Sequence, residues 1–266
     1  MATPGPARRL LVSGNWKMYH DHLAAIRTVS DLGLRLGTDL GGIEISVHPP
    51  FTDLRSVQTV VEDRGIPVLL GAQHCHSEDK GAFTGEVSPP MLARLGVSHV
   101  LVGHSERRQL FGQTDDQVAA TLRAVQRHGM TPIVCVGETE AERAEEATED
   151  RLTAQVTAAF RKLAPERLAA LVVAYEPIWA IGTGLTATAE DAQAACAHIR
   201  AELAGLAGAE AAEAVRIQYG GSVKPENTAE LLSQPDVDGV LVGGASLDAA
   251  SFAAIVEAAA SMGRRR

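Results

Sequence analysis

Short apolar runs alternate with amphipathic stretches from one end of this chain to the other. Brief, partly β-branched runs bounded by breaker residues are typical of buried strands, and apolar residues recurring every three to four positions are typical of helices. The predicted strands are Leu10–Ser13, Ile43–Val47, Val68–Gly71, Val100–Val102, Ile133–Val136, Leu171–Tyr175, Val215–Tyr219 and Val240–Val242. The predicted helices run through Leu23–Leu32, Asp53–Arg64, Pro89–Leu95, Val118–Gln126, Glu140–Glu149, Asp191–Leu203, Glu226–Leu232 and Phe252–Val256.

These elements form eight strand–helix units of about thirty residues, the length of a βα repeat with its crossover. No linker divides them, so we predict one domain over residues 1–266, with residues 1–9 as a flexible N-terminal extension. An open doubly wound sheet is the rival fold, but its first turn usually carries a G-x-G-x-x-G fingerprint. The first strand here ends in Ser13-Gly14-Asn15-Trp16-Lys17. The pattern therefore favours an α/β fold that closes into a parallel eight-stranded (β/α)8 barrel.

Composition narrows the class of protein and its location. A net charge of -9 argues against a general binder of nucleic acid or of anionic membranes. The three cysteines are widely spaced, which implies no disulfide framework and fits a reducing compartment. The N-terminus lacks an apolar signal core, and no run approaches the roughly 18 apolar residues of a membrane span. We therefore expect a soluble cytoplasmic protein.

Several polar residues directly follow predicted strands. In a barrel such residues all face one mouth; Asn15 and Lys17 follow the first strand, His104 the fourth and Glu176 the sixth. A carboxylate there can take a proton from carbon, while the other three groups can donate toward an oxygen that becomes negative. Taken singly, Glu176 could merely begin a helix, His104 could be structural and Lys17 could belong to a surface ion pair.

Paired glycines follow the last two strands, in Gly220-Gly221-Ser222 and in Gly243-Gly244. Glycines before a helix leave backbone N–H groups unobstructed, and a helix N-terminus carries partial positive charge, so a phosphate can dock there. The loops after strands seven and eight are where barrels commonly hold phosphate. Two tight turns without a ligand are the alternative.

An apolar segment follows Glu176. Pro177 stiffens its start, Trp179–Ile181 form an apolar tip, and Gly182 and Gly184 supply backbone freedom. A carboxylate followed by such a flap suggests a base that works under a lid. We call residues 177–187 the lid segment.

Five motifs, in order and spanning the chain from about Leu10 to the last helix, resemble the signatures of the triosephosphate isomerase family. They are Gly14-Asn15-Trp16-Lys17-Met18, Gly103-His104-Ser105-Glu106-Arg107-Arg108, the stretch from Ala174 to Gly184, Tyr219-Gly220-Gly221-Ser222-Val223 and Leu241-Val242-Gly243-Gly244-Ala245-Ser246-Leu247. The resemblance implies an isomerase that interconverts D-glyceraldehyde 3-phosphate and dihydroxyacetone phosphate through an enediolate, by acid–base catalysis, in glycolysis and gluconeogenesis. It implies no cofactor and no metal.

The same resemblance assigns roles to the catalytic candidates. Glu176 would shuttle a proton between C1 and C2 of the triose phosphate. His104 would polarise the carbonyl as a neutral imidazole, because a helix begins at Ser105. Lys17 would supply positive charge, and Asn15 would orient the oxygens.

Further residues would support them. Backbone groups at Gly182, Ser222, Gly243 and Gly244 would join Asn15 and Lys17 in substrate binding. Glu106 would hold Lys17, and Cys135 would pack behind Glu176.

The resemblance also implies a homodimer. In the family, the loop corresponding to the long polar stretch from His74 to Ser88 inserts into a second subunit, with Thr84 near Asn15. His74 replaces a usual asparagine there, Tyr19 a common asparagine, and Leu185 a usual lysine at the far hinge of the lid segment.

Other functions remain open on residues alone. An isomerase of longer sugar phosphates would keep the same acid–base groups but need more room at the lid segment. A non-catalytic barrel would lack the base or the electrophile, and a glycosidase needs two carboxylates across the mouth. His74 and His76 around Cys75 would suggest a metal site, but no third ligand at suitable spacing supports one.

Overall fold

A computed structural model describes residues 8–182 and 185–264. Its eight strands pair in parallel, each with the next, and the first closes on the last, which confirms the predicted barrel. The strands are β1 (Leu11–Asn15), β2 (Glu44–His48), β3 (Leu69–Ala72), β4 (His99–Val102), β5 (Thr131–Val136), β6 (Val172–Tyr175), β7 (Arg216–Tyr219) and β8 (Gly239–Val242).

Helices connect successive strands around the outside of the barrel. Those in the first half are α1 (His22–Arg35), α2 (Leu54–Arg64), α3 (Pro89–Arg94), α4 (Ser105–Phe111), α5 (Asp115–Arg127) and α6 (Glu140–Ala144). Those in the second half are α7 (Thr148–Phe160), α8 (Pro165–Ala169), α9 (Ala189–Ala207), α10 (Ala209–Ala214), α11 (Pro225–Leu232) and α12 (Ala249–Gly263). Two short 3-10 helices cover Ile178–Ala180 and Gly244–Ser246. None of the helices formed by the described residues combines the length and the apolar character that a bilayer crossing requires.

The strands are buried on both faces, as their continuous apolar runs predict. One face of each packs against the helices in the larger apolar cluster. The other face fills the barrel with a smaller cluster that includes Leu101, Ile133 and Leu241. Inside the barrel, Gln218 donates from Nε2 to the Leu11 carbonyl at 3.0 Å and to Ser13 Oγ at 2.9 Å, whereas its Oε1 has no hydrogen-bond partner among the described residues.

Four helical regions differ from the sequence prediction, two of them for a visible local reason. α5 begins at Asp115, earlier than predicted, because Thr114 and Gln117 form a capping box. The predicted helix from Glu140 to Glu149 is two helices, α6 and α7, and Glu146 between them has a positive φ of 57°. The short helices α8 and α10 were not predicted.

The described chain begins at two residues that contact the N-terminal end of the barrel. Arg8 Nε donates to Asp238 at 2.7 Å, and Arg9 donates to the Gly42 carbonyl and to Glu44. Both lie in the stretch expected to be an extension, of which residues 1–7 lie outside the described residues.

Candidate active site

The carboxyl ends of the strands surround a cavity of about 380 Å³. All the residues predicted to be catalytic or to bind substrate line it: Asn15, Lys17, His104, Glu176, Gly182, Ser222, Gly243 and Gly244. They come from the ends of β1, β4, β6, β7 and β8, because parallel strands of a barrel share one mouth. Of the predicted lid segment, Thr183 and Gly184 lie outside the described residues.

Glu176 stands at the end of β6 and is only 2% exposed. Its backbone N–H donates to the Val136 carbonyl at 2.8 Å. Its own carbonyl oxygen occupies the space that a Cβ atom at position 137 would need, so this close approach requires Gly137. Both carboxylate oxygens are occupied. Oε1 lies 2.9 Å from His104 Nε2, and Oε2 accepts the Ser105 N–H at 2.9 Å.

His104 is the N-cap residue of α4, and its Nδ1 accepts the Glu106 N–H at 3.3 Å. An Nδ1 that accepts leaves the proton of a neutral imidazole on Nε2, which faces Glu176. Burial lowers the pKa of His104, but the neighbouring Glu176 carboxylate raises it, and the net direction is upward. Burial raises the pKa of Glu176, whereas His104 and the Ser105 N–H lower it, and the net direction is downward. The protonation state of His104 therefore depends on the position of the Glu176 carboxylate: the expected neutral imidazole is favoured when that carboxylate is turned away.

Lys17 is held at the cavity in a strained backbone conformation, with φ at 50°. Its N–H donates to Asn15 Oδ1 at 3.0 Å, and its carbonyl accepts from Gln73 Nε2 at 2.7 Å. Its ammonium nitrogen lies 2.7 Å from Glu106 Oε1. These contacts fix a cation beside the two glycine loops. Lys17 Cε lies 3.4 Å from the position that a Cβ atom on Gly243 would take.

The glycine pair after β8 leads into a helix, which is a 3-10 helix of three residues. Gly244 begins the 3-10 helix, whose last residue, Ser246, donates from Oγ to the Gly243 carbonyl at 2.7 Å. After β7, α11 begins only at Pro225, beyond Ser222. Lys224 also lines the cavity, and the sequence reasoning missed this cation. The two loops together offer backbone N–H groups and positive charge to an anion.

Comparison with known proteins identifies the family. The family model described as triosephosphate isomerase matches residues 10–259. The chain belongs to the triosephosphate isomerase family. It is 56% identical over 246 residues to the triosephosphate isomerase of Chloroflexus aurantiacus, covering 92% of this chain and 97% of that protein. It is 50% identical over 250 residues to the triosephosphate isomerase of Streptomyces coelicolor, covering 94% of this chain and 97% of that protein. It is 51% identical over 249 residues to that of Herpetosiphon aurantiacus, covering 94% of this chain and 98% of that protein.

Cys135 lies beside the carboxylate that the family resemblance makes the base. It is buried in β5, in register with Ala174 of β6. Burial raises the pKa of its thiol well above the usual value, and the Glu176 carboxylate adds to the effect. A neutral thiol is a poor nucleophile, so Cys135 can support Glu176 by contact rather than by chemistry.

Sequence reasoning missed Glu138, a fully buried carboxylate in the loop after β5, which contacts the start of the lid segment. Its Oε1 accepts from the Tyr175 hydroxyl at 3.0 Å and from Trp179 Nε1 at 2.7 Å. Its carbonyl accepts the Ile178 N–H at 3.1 Å. Its position just after β5 was the available signal, because acidic residues at strand ends face the mouth. Glu138 therefore anchors the lid segment to the neighbouring β5 loop.

Proposed function

We propose that this chain interconverts D-glyceraldehyde 3-phosphate and dihydroxyacetone phosphate through an enediolate, in glycolysis and gluconeogenesis. The observation that carries the proposal is the direct contact of Glu176 with His104 in a cavity that also holds Lys17 and two glycine loops. A base, an oxygen-directed donor and an anion site within one cavity match the needs of proton transfer on a phosphorylated carbonyl compound.

The contact between Glu176 and His104 represents the resting state, because neither carboxylate oxygen is free to take a proton from carbon. When the carboxylate turns toward substrate it loses the donors that lower its pKa while it stays buried, so it becomes a stronger base. His104 then loses the carboxylate that raises its pKa, and burial favours the neutral imidazole. One rotation of Glu176 thus prepares both the base and the electrophile.

The remaining cavity residues bind and orient the substrate. Lys17 offsets the charge that develops on the enediolate, and Asn15 donates to its oxygens. The N–H groups of Ser222, Gly243 and Gly244, and of Gly182 from the lid segment, receive the phosphate. Glu106 keeps Lys17 in place through their 2.7 Å contact.

A coupled assay in both directions with the two triose phosphates tests the proposal. We expect rapid interconversion, and little turnover of an aldose phosphate with five or six carbons under the same conditions. Turnover of the longer sugar alone would assign the cavity to a different isomerase. Binding of the triose phosphates without turnover would indicate a non-catalytic barrel.

Removing metal ions is expected to leave the activity unchanged. Lys17, His104 and Asn15 supply the donors that an oxyanion needs, so the proposed chemistry has no step for a metal. The experiment compares the rate of the purified protein before and after exhaustive chelation and dialysis. A loss of activity that one divalent ion restores would contradict the mechanism.

We further propose that two copies of the chain form a homodimer through the loop of residues 73–88. A second cavity of about 390 Å³ lies between this loop and helices α4 and α5. Buried polar atoms around it lack hydrogen-bond partners within the described chain: His74 Nδ1, Arg107 Nε and Gln113 Oε1. Burial lowers the pKa of His74 to about 3, so this imidazole is neutral although it lies 3.5 Å from Glu86.

The second cavity also carries exposed aromatic side chains among its polar residues. Phe83, 44% exposed, and Phe111, 68% exposed, line it, and Thr84 lies exposed on the cavity's rim, away from the Asn15 cavity of its own chain. A second copy would cover these groups and bring its Thr84 to the neighbouring active site.

Thr84→Arg is expected to weaken dimer formation by about a hundredfold, since it buries an unpaired charge at the interface. Activity should fall in proportion to the monomer fraction. Light scattering and rate measurements across one dilution series check both effects. Thr59→Arg, the same change at an exposed position of α2, is the matched control and should leave both unchanged. A fully active wild-type monomer would refute the proposal.

We place the protein in the cytoplasm, in keeping with three free, buried cysteines.

A further inference from the structure

Arg143 of α6 contacts the lid segment near its start and the helix that follows the segment. Its guanidinium carbon lies 4.1 Å from the centre of the ring of Trp179, which was expected at the tip of the lid segment but does not line the Asn15 cavity. Its Nη2 lies 3.1 Å from Asp191 Oδ1, in the first turn of α9, which follows the lid segment. Its Nη1 lies 4.0 Å from Glu138, the carboxylate that also binds the Trp179 indole N–H.

Each group that Arg143 contacts is itself fixed. Asp191 uses its other oxygen, Oδ2, to accept the Thr188 N–H at 3.1 Å, so the residue that directly follows the lid segment and caps α9 is tied to the same carboxylate. Trp179 donates to Glu138 at 2.7 Å. One planar cation therefore connects an indole, which it covers by a cation–π contact, to the start of the helix that follows the lid segment.

Arg143 is itself held in place by a short capped helix. Thr139 and Glu142 form the capping box of α6, and the Arg143 N–H donates to the Thr139 carbonyl at 3.0 Å. The side chain is 38% exposed, so it occupies the surface between the β5 loop and the lid segment. The nearby carboxylates of Glu140, Glu145 and Glu149 are exposed to solvent. The guanidinium of Arg143, by contrast, contacts the lid segment through Trp179.

We propose that Arg143 is a positioning residue for the isomerisation, which holds Trp179 and the start of α9 at a fixed separation so that Ile181 and Gly182 close in one register over the substrate. This inference rests on the proposed function, because it assigns Arg143 to the lid of that reaction. Arg143 does not line the Asn15 cavity, and it acts through Trp179 and Asp191.

The test uses three substitutions and one matched control. Arg143→Met keeps an apolar stem over the indole but removes the charge, and Arg143→Lys keeps the charge but loses the planar stacking. Asp191→Asn removes the charge that faces Arg143 while retaining an oxygen for the Thr188 N–H. Arg151→Met is the control, since Arg151 contacts Glu142 at 3.4 Å rather than the lid segment.

Arg143→Met should lower kcat about tenfold, the scale of losing one cation–π contact and one partly buried ion pair, with little change in the affinity for inorganic phosphate. The fraction of turnovers that release free phosphate should rise severalfold, because a lid segment that is no longer held by Arg143 excludes water less well. Arg143→Lys and Asp191→Asn should show smaller effects in the same direction. The double variant of Arg143→Met with Asp191→Asn should be no worse than Arg143→Met alone, because the pair acts as one unit.

A spectroscopic readout separates positioning from simple stabilisation. The chain has two tryptophans, Trp16 and Trp179, so fluorotryptophan labelling gives two fluorine resonances, assigned with Trp179→Phe. The response of the Trp179 resonance to added phosphate, in its shift or its exchange broadening, should differ between Arg143→Met and the wild type. The Trp16 resonance should be the same in both. A lower melting temperature with wild-type kcat, phosphate release and Trp179 resonance would overturn the inference. So would equal effects in Arg151→Met.

The wild-type protein distinguishes this failure from failure of the proposed function. If the wild type does not isomerise triose phosphates, the proposed function is wrong and the inference falls with it. If the wild type isomerises them and every Arg143 and Asp191 variant matches the Arg151→Met control, only the assignment of Arg143 is wrong.

Discussion

Glu176→Gln is expected to lower kcat by about three to four orders of magnitude, near the upper range for removing a general base. The amide is nearly isosteric with the carboxylate, yet it cannot take a proton from carbon. Its oxygen can still accept the Ser105 N–H, so the cavity should keep its shape. The affinity for a phosphate-bearing inhibitor should change little, because the glycine loops and Lys17 are untouched. Steady-state kinetics and calorimetric titration of the inhibitor give the two quantities on the same preparation.

Glu140→Gln provides the matched control for this change. Glu140 is an exposed carboxylate in the first turn of α6, outside the Asn15 cavity. Its replacement should leave kcat within about twofold of the wild type, as is usual for a surface change. Near-normal turnover in Glu176→Gln would remove Glu176 from the mechanism. Loss of turnover together with loss of inhibitor binding would point instead to a collapsed cavity.

Much of the fold could be predicted because a barrel strand is buried on both sides and leaves a continuous apolar run in the sequence. The predicted strand ends lie close to the observed ones, as for Leu171–Tyr175 against Val172–Tyr175. Helix ends were harder, since they depend on side-chain caps. The Thr114 and Gln117 capping box extends α5 beyond its apolar periodicity, and the left-handed residue Glu146 divides an otherwise continuous polar stretch.

The cavity residues could be predicted because topology brings the strand ends to one mouth, whatever the details of packing. What the sequence could not provide is which of these residues touch. The contact between Glu176 and His104 changes the pKa of both, and no spacing along the chain indicates it. Arg143 was missed for the same reason, and the position of Glu138 after β5 gave no indication of its partners. Their roles arise only when the β5 loop packs against Trp179.

The lid segment is predicted to protect a reactive intermediate. Removing a proton from the substrate gives an enediolate whose neighbouring carbon carries the phosphate. That intermediate can expel phosphate and form methylglyoxal instead of regaining its proton. An enclosed site suppresses the elimination if it excludes water and holds the leaving phosphate out of alignment. The described part of the segment has the means for this: Ile181 and Gly182 line the cavity, and Ala180 beside them is buried.

Deleting residues 181–184 and rejoining the chain should therefore have two effects. Isomerisation should slow by about a hundredfold or more, since the substrate loses its positioning. The share of turnovers that end as methylglyoxal and free phosphate should rise. Glu176 and His104 remain in place, so exchange of the carbon-bound proton with solvent should still be detectable. Isomerised product and released phosphate are measured side by side in the same reaction.

Leu185→Lys is the companion variant, because it changes the far hinge of the segment without shortening it. Leu185 is 53% exposed, and a lysine can be placed there at little cost in packing. We expect a modest change in kcat and no rise in phosphate release. The deletion and the point change thus separate enclosure from hinge kinetics. If the deletion slows isomerisation while the share of phosphate release stays at the wild-type level, enclosure is not what protects the intermediate, and the slow step must be assigned to substrate positioning alone.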